Sequence, residues 1–283
     1  MNPLFTFTNN CPLCNTNYKS PICRPKIEKD IYFQKLNIRN KNDIISGWYL
    51  CKNCEGAFNT IRLTSAGISK MYSSSITSMG NKDALVRFKT ISKLNKNESE
   101  TYHKTNWFVA NSKIFNTKDL NFLDFGCGMG IFQWYLKNSF SKTKLFLYGI
   151  DPSNDYIDCC RENMEGNFIC GSEEKLNTFT DSFFDLISSI TVLEHLLDPF
   201  SNLSELKKKL NPEGEIWIEV PSIKNFEILS ADHDNFRCQH LFMHSEKSIE
   251  KLLSSVDLII ENFSHEKSLR GKFMLKIIAK IKI

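Results

Sequence analysis

The residues of this chain that could do chemistry begin with a glycine-rich turn. Residues 122–130 read FLDFGCGMG, and Asp151 ends the next apolar run, KLFLYGID. Glycines at such a turn let the backbone bend sharply and come close to a ligand. An acidic residue at the end of the following strand, about 20 residues further on, can accept hydrogen bonds from both hydroxyls of a ribose. Together the two features predict a site for a cofactor that contains adenosine.

The spacing within the turn narrows the choice of cofactor. Gly126, Gly128 and Gly130 are spaced G-x-G-x-G, whereas dinucleotide-binding turns read G-x-G-x-x-G. Asp124 precedes them, and a carboxylate there would repel a pyrophosphate but attract the ammonium group of an amino acid. The pattern resembles motif I of the class I S-adenosylmethionine (SAM) methyltransferases, whose cofactor joins an adenosine to a methionine. The resemblance implies that these four residues and Asp151 bind SAM; a glycine turn without a ligand is the alternative.

Two pairs of cysteines could bind a metal ion. Cys11 and Cys14 form one C-x2-C pair, and Cys51 and Cys54 form the second. Two such pairs can complete a tetrahedral shell of four thiolates, which leaves no open position for water or substrate. The spacing therefore predicts a structural zinc ion, which would stabilise a short segment that buries little core of its own. Cys23 is a spare thiol that could replace one ligand.

A third group of candidates lies in residues 231–245, ADHDNFRCQHLFMHS. This segment contains His233, His240 and His244, with Asp234 nearby. Histidine suits proton removal from an acceptor because its pKa lies near operating pH. For any one of the three taken alone, we favour a structural role.

Alternating apolar and helical stretches from residue 120 onward must position these groups. The alternation predicts a parallel sheet with crossover helices. The predicted strands lie near 120–126, 144–151, 166–170, 183–190 and 214–220, and the predicted helices near 130–138, 154–163, 198–210 and 245–254. Two final apolar runs flank a loop with Gly271 and predict an antiparallel strand pair, although the lysines of the last run would also suit a membrane-surface helix.

Further segments resemble the same methyltransferase class. Residues 184–199, FDLISSITVLEHLLDP, resemble its motif IV, which implies that Thr191 lines the cofactor. Glu194 and His195 start the next helix in many relatives, and we favour a structural role for His195. Where relatives carry an acid beside the adenine, this chain has Ser172, followed by Glu173.

The resemblance implies an α/β, Rossmann-like class I methyltransferase fold with a seven-stranded sheet and a small N-terminal zinc-binding module. The division that we predict is a zinc-binding module at 1–62, a linker and helical segment at 63–116 and a methyltransferase domain at 117–283.

The order of the motifs suggests an acceptor. Cysteine pairs, a Tyr-Ser-Ser segment at Tyr72, the glycine turn and a histidine segment ending in H-L-x-x-x-S resemble the zinc-containing sugar methyltransferases. That resemblance implies a sugar or nucleotide-sugar substrate, His240 as the base, and Tyr72 and His244 as further catalytic candidates. The family has His-Glu before this histidine, whereas this chain has Cys238 and Gln239. O-methylation is therefore at least as plausible as C-methylation.

Composition limits the classes of protein to which the chain could belong. The chain has 283 residues, a net charge of +4 and ten cysteines, and its start lacks the pattern of a secretory signal. These features predict a cytoplasmic protein with reduced thiols and no membrane span. The mild charge argues against nucleic acid as the partner. Two alternatives remain: a zinc-containing RNA base methyltransferase, and a non-catalytic SAM-binding subunit of a modification complex.

Overall fold

The computed structural model describes residues 4–8, 10–16, 21–23, 30–32, 36, 47–72, 83–116, 119–140 and 143–282. The strands among them are β1 (Phe5–Phe7), β2 (Trp48–Leu50), β3 (Ala57–Asn59), β4 (Ile61–Leu63), β5 (Leu120–Phe125), β6 (Leu145–Asp151), β7 (Asn167–Cys170), β8 (Phe184–Ile190), β9 (Leu210–Pro221), β10 (Phe242–Met243), β11 (Leu258–Lys267) and β12 (Phe273–Ile281). The helices are α1 (Ser65–Tyr72), α2 (Ala84–Ser92), α3 (Glu100–Asn111), α4 (Ile131–Tyr135), α5 (Asn154–Asn163), α6 (Pro199–Lys209), α7 (Asn225–Ile228) and α8 (Glu246–Ser254).

Seven of these strands form one mixed sheet in the order β11-β12-β9-β8-β5-β6-β7. Strands β5 to β9 run parallel to one another, while β12 is antiparallel to both β9 and β11. Phe122 and Leu123, adjacent on β5, are both fully buried. Both faces of the central strand are therefore covered, as a parallel sheet with crossover helices requires.

The elements that the sequence predicts around the cofactor turn are present. Strand β9 begins at Leu210, earlier than predicted, and the predicted helix at 130–138 is the short α4, followed by a π-helical turn over Leu136–Phe140. Ser245 caps α8 by accepting a hydrogen bond from the backbone N–H of Ser248. Because strands β5 to β9 run parallel, they all end at the same edge of the sheet. Ligands of open α/β sheets bind at that edge.

The C-terminal apolar runs form the predicted reversed strand pair, β11 and β12. The loop between them contains Gly271, whose φ of 79° is a left-handed conformation that suits glycine. The membrane-surface helix is therefore not formed. In the part of the chain that the structure describes, no helix has the length and apolarity needed to span a bilayer.

The N-terminal module is joined to the large sheet's domain by strand β10. This strand pairs antiparallel with β3 and completes a three-stranded sheet with β2. Phe242 of β10 lies opposite Phe58 of β3, and both rings are buried. Trp48 of β2 donates its indole N–H to the carbonyl of Phe236 at 3.0 Å. The module and the histidine segment therefore share one core, whereas the domain boundaries stay predictions.

Candidate active site and metal centre

The glycine turn joins β5 to α4, and each of its three glycines has a positive φ. The values are 77° for Gly126, 53° for Gly128 and 78° for Gly130. A Cβ on Gly126 would overlap the Val192 side chain, and one on Gly130 would lie 2.9 Å from the Cys160 sulfur. A Cβ on Gly128 would meet nothing closer than 3.9 Å. Gly126 and Gly130 are thus required by packing as well as by backbone conformation, whereas a Cβ on Gly128 would make only an ordinary van der Waals contact with the Tyr156 ring.

A cavity of about 1110 Å³ opens in front of this turn. Most of the predicted cofactor residues line it, namely Gly126, Gly128, Asp151, Ser172, Glu173 and Thr191. Its lining also includes His195 and Gln239, and Tyr32, Ile68 and Met71 from the N-terminal part of the chain. Asp124 and Gly130 are not among the lining residues. The cavity therefore lies between the large sheet and the N-terminal segments.

Asp124 lies beneath the glycine turn and not on the cavity wall. Its side chain is 2% exposed, and Ser188 Oγ donates a hydrogen bond to it at 2.6 Å. Burial raises the pKa of this carboxyl to about 7, although the Ser188 hydrogen bond opposes the change. Its predicted attraction to the cofactor's ammonium group stays a prediction, and any such attraction would act across the turn.

Asp151 is the last residue of β6, and its side chain stabilises the glycine turn through hydrogen bonds. Its carboxylate accepts hydrogen bonds from the backbone N–H groups of Gly128 and Ser153, each at 2.9 Å. Burial raises the pKa of Asp151 to about 6, while those two hydrogen bonds lower it. The side chain still lines the cavity, so one residue both orders the turn and faces the predicted ribose position.

Thr191 follows β8 in a conformation that is unusual for its type. Its φ is 57°, a left-handed value that is disfavoured for a β-branched residue. Its backbone N–H donates to the carbonyl of Glu219 at 2.8 Å, which fixes the backbone here. Such strain is concentrated at functional sites, and it occurs where the resemblance to motif IV places a cofactor contact.

His240 lies beside His195, and their ring centroids are 4.7 Å apart. Each ring donates its Nδ1–H to a backbone carbonyl, that of Gln239 for His195 at 2.8 Å and that of Asn235 for His240 at 2.7 Å. Burial lowers the pKa of His195 to about 4 and that of His240 to about 3. Both rings are therefore neutral at neutral pH, with Nε2 free of a proton. Only His195 of this pair lines the cavity.

Of the other two catalytic candidates, the structure places His244 away from the cavity and does not describe the side chain of Tyr72. His244 is fully buried, with Nδ1 3.2 Å from Ser248 Oγ, and it is absent from the cavity lining. Tyr72 ends helix α1, and its side chain lies outside the described residues. The structure adds His195 to the residues of the cavity wall, and its one signal in the sequence is its position directly after motif IV.

The four predicted metal-binding cysteines come together on two matching turns. Cys11 and Cys54 have their sulfurs 3.6 Å apart, Cys14 and Cys51 3.3 Å apart, and all four sulfurs lie within 4.8 Å of one another. Four thiolates around a tetrahedral zinc, with bonds of about 2.3 Å, would be about 3.8 Å apart.

Local backbone geometry explains how these turns form. Asn15 and Glu55, each just after the second cysteine of its pair, have φ of 57° and 60°. Their N–H groups donate to the carbonyls of Cys11 and Cys51 at 2.7 and 2.8 Å. The donor set fits a structural metal ion, whose identity as zinc stays a prediction.

The part of the chain that forms the large sheet is similar to a known protein family. Residues 123–218 match a family described as "Methyltransferase domain", and this range contains the glycine turn, Asp151 and Thr191. The chain contains a class I SAM-dependent methyltransferase domain. The predicted fold and enzyme class are thereby confirmed for this part of the chain.

Solved structures agree on the fold of this methyltransferase domain. A chain from the complex of the Haloferax volcanii Trm112 methyltransferase activator with a methyltransferase has a TM-score of 0.56 at 15% identity, and covers 72% of this chain and 100% of that one. A SAM-dependent methyltransferase from Aquifex aeolicus has a TM-score of 0.50 at 17% identity, and covers 69% and 97%. At these identities the likeness concerns the fold alone.

Curated relatives are named for a tRNA substrate. The tRNA U34 carboxymethyltransferase of Hahella chejuensis is 30% identical over 119 residues, which is 39% of this chain and 36% of the relative. The enzyme of the same name from Sulfurimonas denitrificans is 31% identical over 120 residues, which is 41% and 39%. The chain thus spans little more than a third of the length of the relatives it matches.

The expectation of a sugar or nucleotide-sugar substrate, with nucleic acid disfavoured, was wrong. It is overturned by these relatives, whose names specify tRNA. The net charge of +4 did not exclude nucleic acid because it is a sum over the whole chain, whereas nucleic acid is bound by a local group of basic side chains.

Proposed function

We propose that the protein transfers a methyl group from SAM to an RNA acceptor, with tRNA as the first candidate. The observation that carries the proposal is the similarity of the methyltransferase domain to enzymes named for tRNA modification. The size of the cavity supports it. A single drug-sized ligand occupies a pocket of about 300–1,000 Å³, so a cavity of about 1110 Å³ has room for an acceptor group beside the cofactor.

In this proposal SAM lies along the carboxyl ends of the parallel strands. Asp151 holds the ribose hydroxyls, Ser172 and Glu173 flank the adenine, and Gly128 allows the backbone to approach the cofactor. All four line the cavity. Thr191 and His195, which also line the cavity, would then lie toward the sulfonium, and Ile68 and Met71 would border the acceptor. SAM supplies an electrophilic methyl group, and the protein's task is to align the acceptor with it.

A basic segment beside the glycine turn is the proposed contact for the RNA backbone. Helix α2 packs through Ala84 and Phe88 against Met129 of the turn. Lys89 and Lys93, at the end of this helix, are exposed. Lysines in such a position can contact phosphates without reading bases.

The test measures binding and transfer together. Transfer of tritium-labelled methyl groups from SAM should label bulk tRNA, and binding of tRNA in the presence of S-adenosylhomocysteine should weaken steeply between 50 and 200 mM salt, as is typical for about six or more phosphate contacts. Lys89→Ala and Lys93→Ala should each reduce the salt slope by about one. Lys251→Ala is the matched control, because this lysine is exposed on α8, which packs against β11. An absence of both label and salt-sensitive binding would refute the proposal.

The four cysteines are proposed to hold a structural zinc ion that stabilises the N-terminal module. Support comes from the four clustered sulfurs and the two matching turns described above. Because Cys11, Cys51 and Cys54 are buried in the core that contains Phe242, the ion would also support the segment that carries His240.

A further inference from the structure

A second group of metal-ligating side chains lies beside the cavity, where His195 forms part of its wall. Glu194 and His195 are adjacent in the turn after β8, and His240 comes from the segment that precedes β10. The N–H of Leu241 donates to the carbonyl of Glu194 at 2.7 Å, which ties the two segments together. One ligand atom from each of the three side chains lies within 4.8 Å of the other two.

The orientation of the two imidazole rings leaves a ligand atom available on each. Because His195 and His240 both use Nδ1 to donate to backbone carbonyls, each retains an Nε2 lone pair. The Nε2 atom of His195 is 4.0 Å from Oε1 of Glu194. Two atoms bound to the same ion at about 2.1 Å can be no more than about 4.2 Å apart, so this separation fits shared coordination. A backbone hydrogen bond to the other ring nitrogen is also how metal-binding histidines are held in position.

The surroundings of the Glu194 carboxyl group indicate a bound ligand independently of this geometry. Its side chain is 2% exposed, and its Oε2 atom has no hydrogen-bond partner among the described residues. Two described lysines that act on Glu194 are engaged with other carboxylates: Lys104 pairs with Glu219, and Lys272 binds Asp234 at 3.1 Å. A buried carboxyl oxygen without a partner is costly, and a bound cation would satisfy it.

We propose that Glu194, His195 and His240 form a binding site for a first-row divalent cation. Two imidazole nitrogens and one carboxylate oxygen suit manganese, iron, cobalt or zinc better than the all-oxygen shells that calcium and magnesium prefer. Three protein ligands leave coordination positions open, and His195 and Gln239 border the cavity on this side. The open positions can take an oxygen atom of the acceptor. This role rests on the proposed function, whereas the existence of the cation site does not depend on it.

This site differs in chemistry from the four-cysteine cluster. Thiolates select soft or borderline ions, while a carboxylate–imidazole set also accepts manganese. Manganese is therefore the probe of choice, because it binds the second site without displacing an ion from the cysteines.

In the experiment, Mn²⁺ is titrated into the full chain as purified, and the concentration of free Mn²⁺ is measured by electron paramagnetic resonance. We expect one saturable Mn²⁺ per chain, with affinity reduced about tenfold or more in Glu194→Gln and in His240→Asn. His103→Asn is the matched control, because His103 is exposed on α3 and outside the cluster; its affinity should be unchanged. The affinity for S-adenosylhomocysteine and the thermal midpoint identify any variant that fails to fold.

The outcomes separate the two proposals. No saturable Mn²⁺ binding up to about 1 mM by the wild-type chain, or equal affinity in the folded variants and the wild type, would overturn the site. Mn²⁺ bound through these residues, with neither methylation nor salt-sensitive binding of tRNA, would leave the site standing and refute the RNA acceptor. Methylation of tRNA with no Mn²⁺ binding would do the reverse.

Discussion

Gly126→Ala should destabilise the fold more than Gly128→Ala, although the two glycines belong to one turn. Both have a positive φ, and placing alanine there costs about 1–2 kcal/mol. At Gly126 the new Cβ would also overlap Cγ2 of Val192 and lie 3.1 Å from its Cγ1. Overpacking of this kind costs about 1–3 kcal/mol more. We therefore expect a loss of about 2–5 kcal/mol for Gly126→Ala, and about 1–2 kcal/mol for Gly128→Ala, whose nearest neighbour atom is 3.9 Å away.

The assay is urea unfolding followed by tryptophan fluorescence, with the free energy of unfolding taken from the midpoint and slope. A double-mutant cycle with Val192→Ala isolates the overlap, since that substitution leaves only Cβ of residue 192, at 3.3 Å. The double mutant should be less destabilised, by about 1–3 kcal/mol, than the sum of the two single mutants. Equal destabilisation by the two glycine substitutions, or a coupling near zero, would refute the claim that packing against Val192 fixes Gly126.

Three further changes probe other parts of the molecule. Cys54→Ser should reduce zinc from about one ion per chain to nearly none by plasma emission spectroscopy, whereas Cys23→Ser should retain it. The pKa of Asp124 is about 7 in the folded chain against an ordinary 3.8, so its contribution to stability is complete below about pH 4 and lost as pH rises through about 7. Asp124→Asn should therefore make the fall in unfolding free energy over this range shallower, and an unchanged pH slope would contradict this. Phe242→Ala should cost about 3–5 kcal/mol in urea unfolding, while Phe7→Ala, at a side chain 50% exposed, should cost almost nothing.

The cofactor turn could be predicted because its determinants are local. The glycines, Asp124 and Asp151 fall within one strand–helix–strand unit, and apolar patterning alone gives the strands on either side of it. The cysteine turns could be predicted for the same reason, because each pair is held by one reversal of the chain.

The surroundings of His195 and His240 could not be predicted because they depend on contacts between distant segments. Strand β10 has two residues, too few for any hydrophobic period, and it forms only by pairing with β3 near the other end of the chain. His195 looked structural by itself; its proximity to His240 depends on the hydrogen bond from Leu241 to Glu194. The sugar acceptor was wrong because motif order and net charge describe the chain as a whole and not the surface that meets the substrate.

Strand β10 also limits how this protein can be divided or recombined. A fragment that starts at residue 117 would contain the whole large sheet, but it would leave the β3-facing edge of β10 unpaired and bare the face of Phe242 that packs on the N-terminal module. Exposed strand edges and aromatic surfaces promote aggregation. We therefore do not expect the methyltransferase domain to be stable without the N-terminal module, and replacing that module would require redesigning β10 together with its new neighbour.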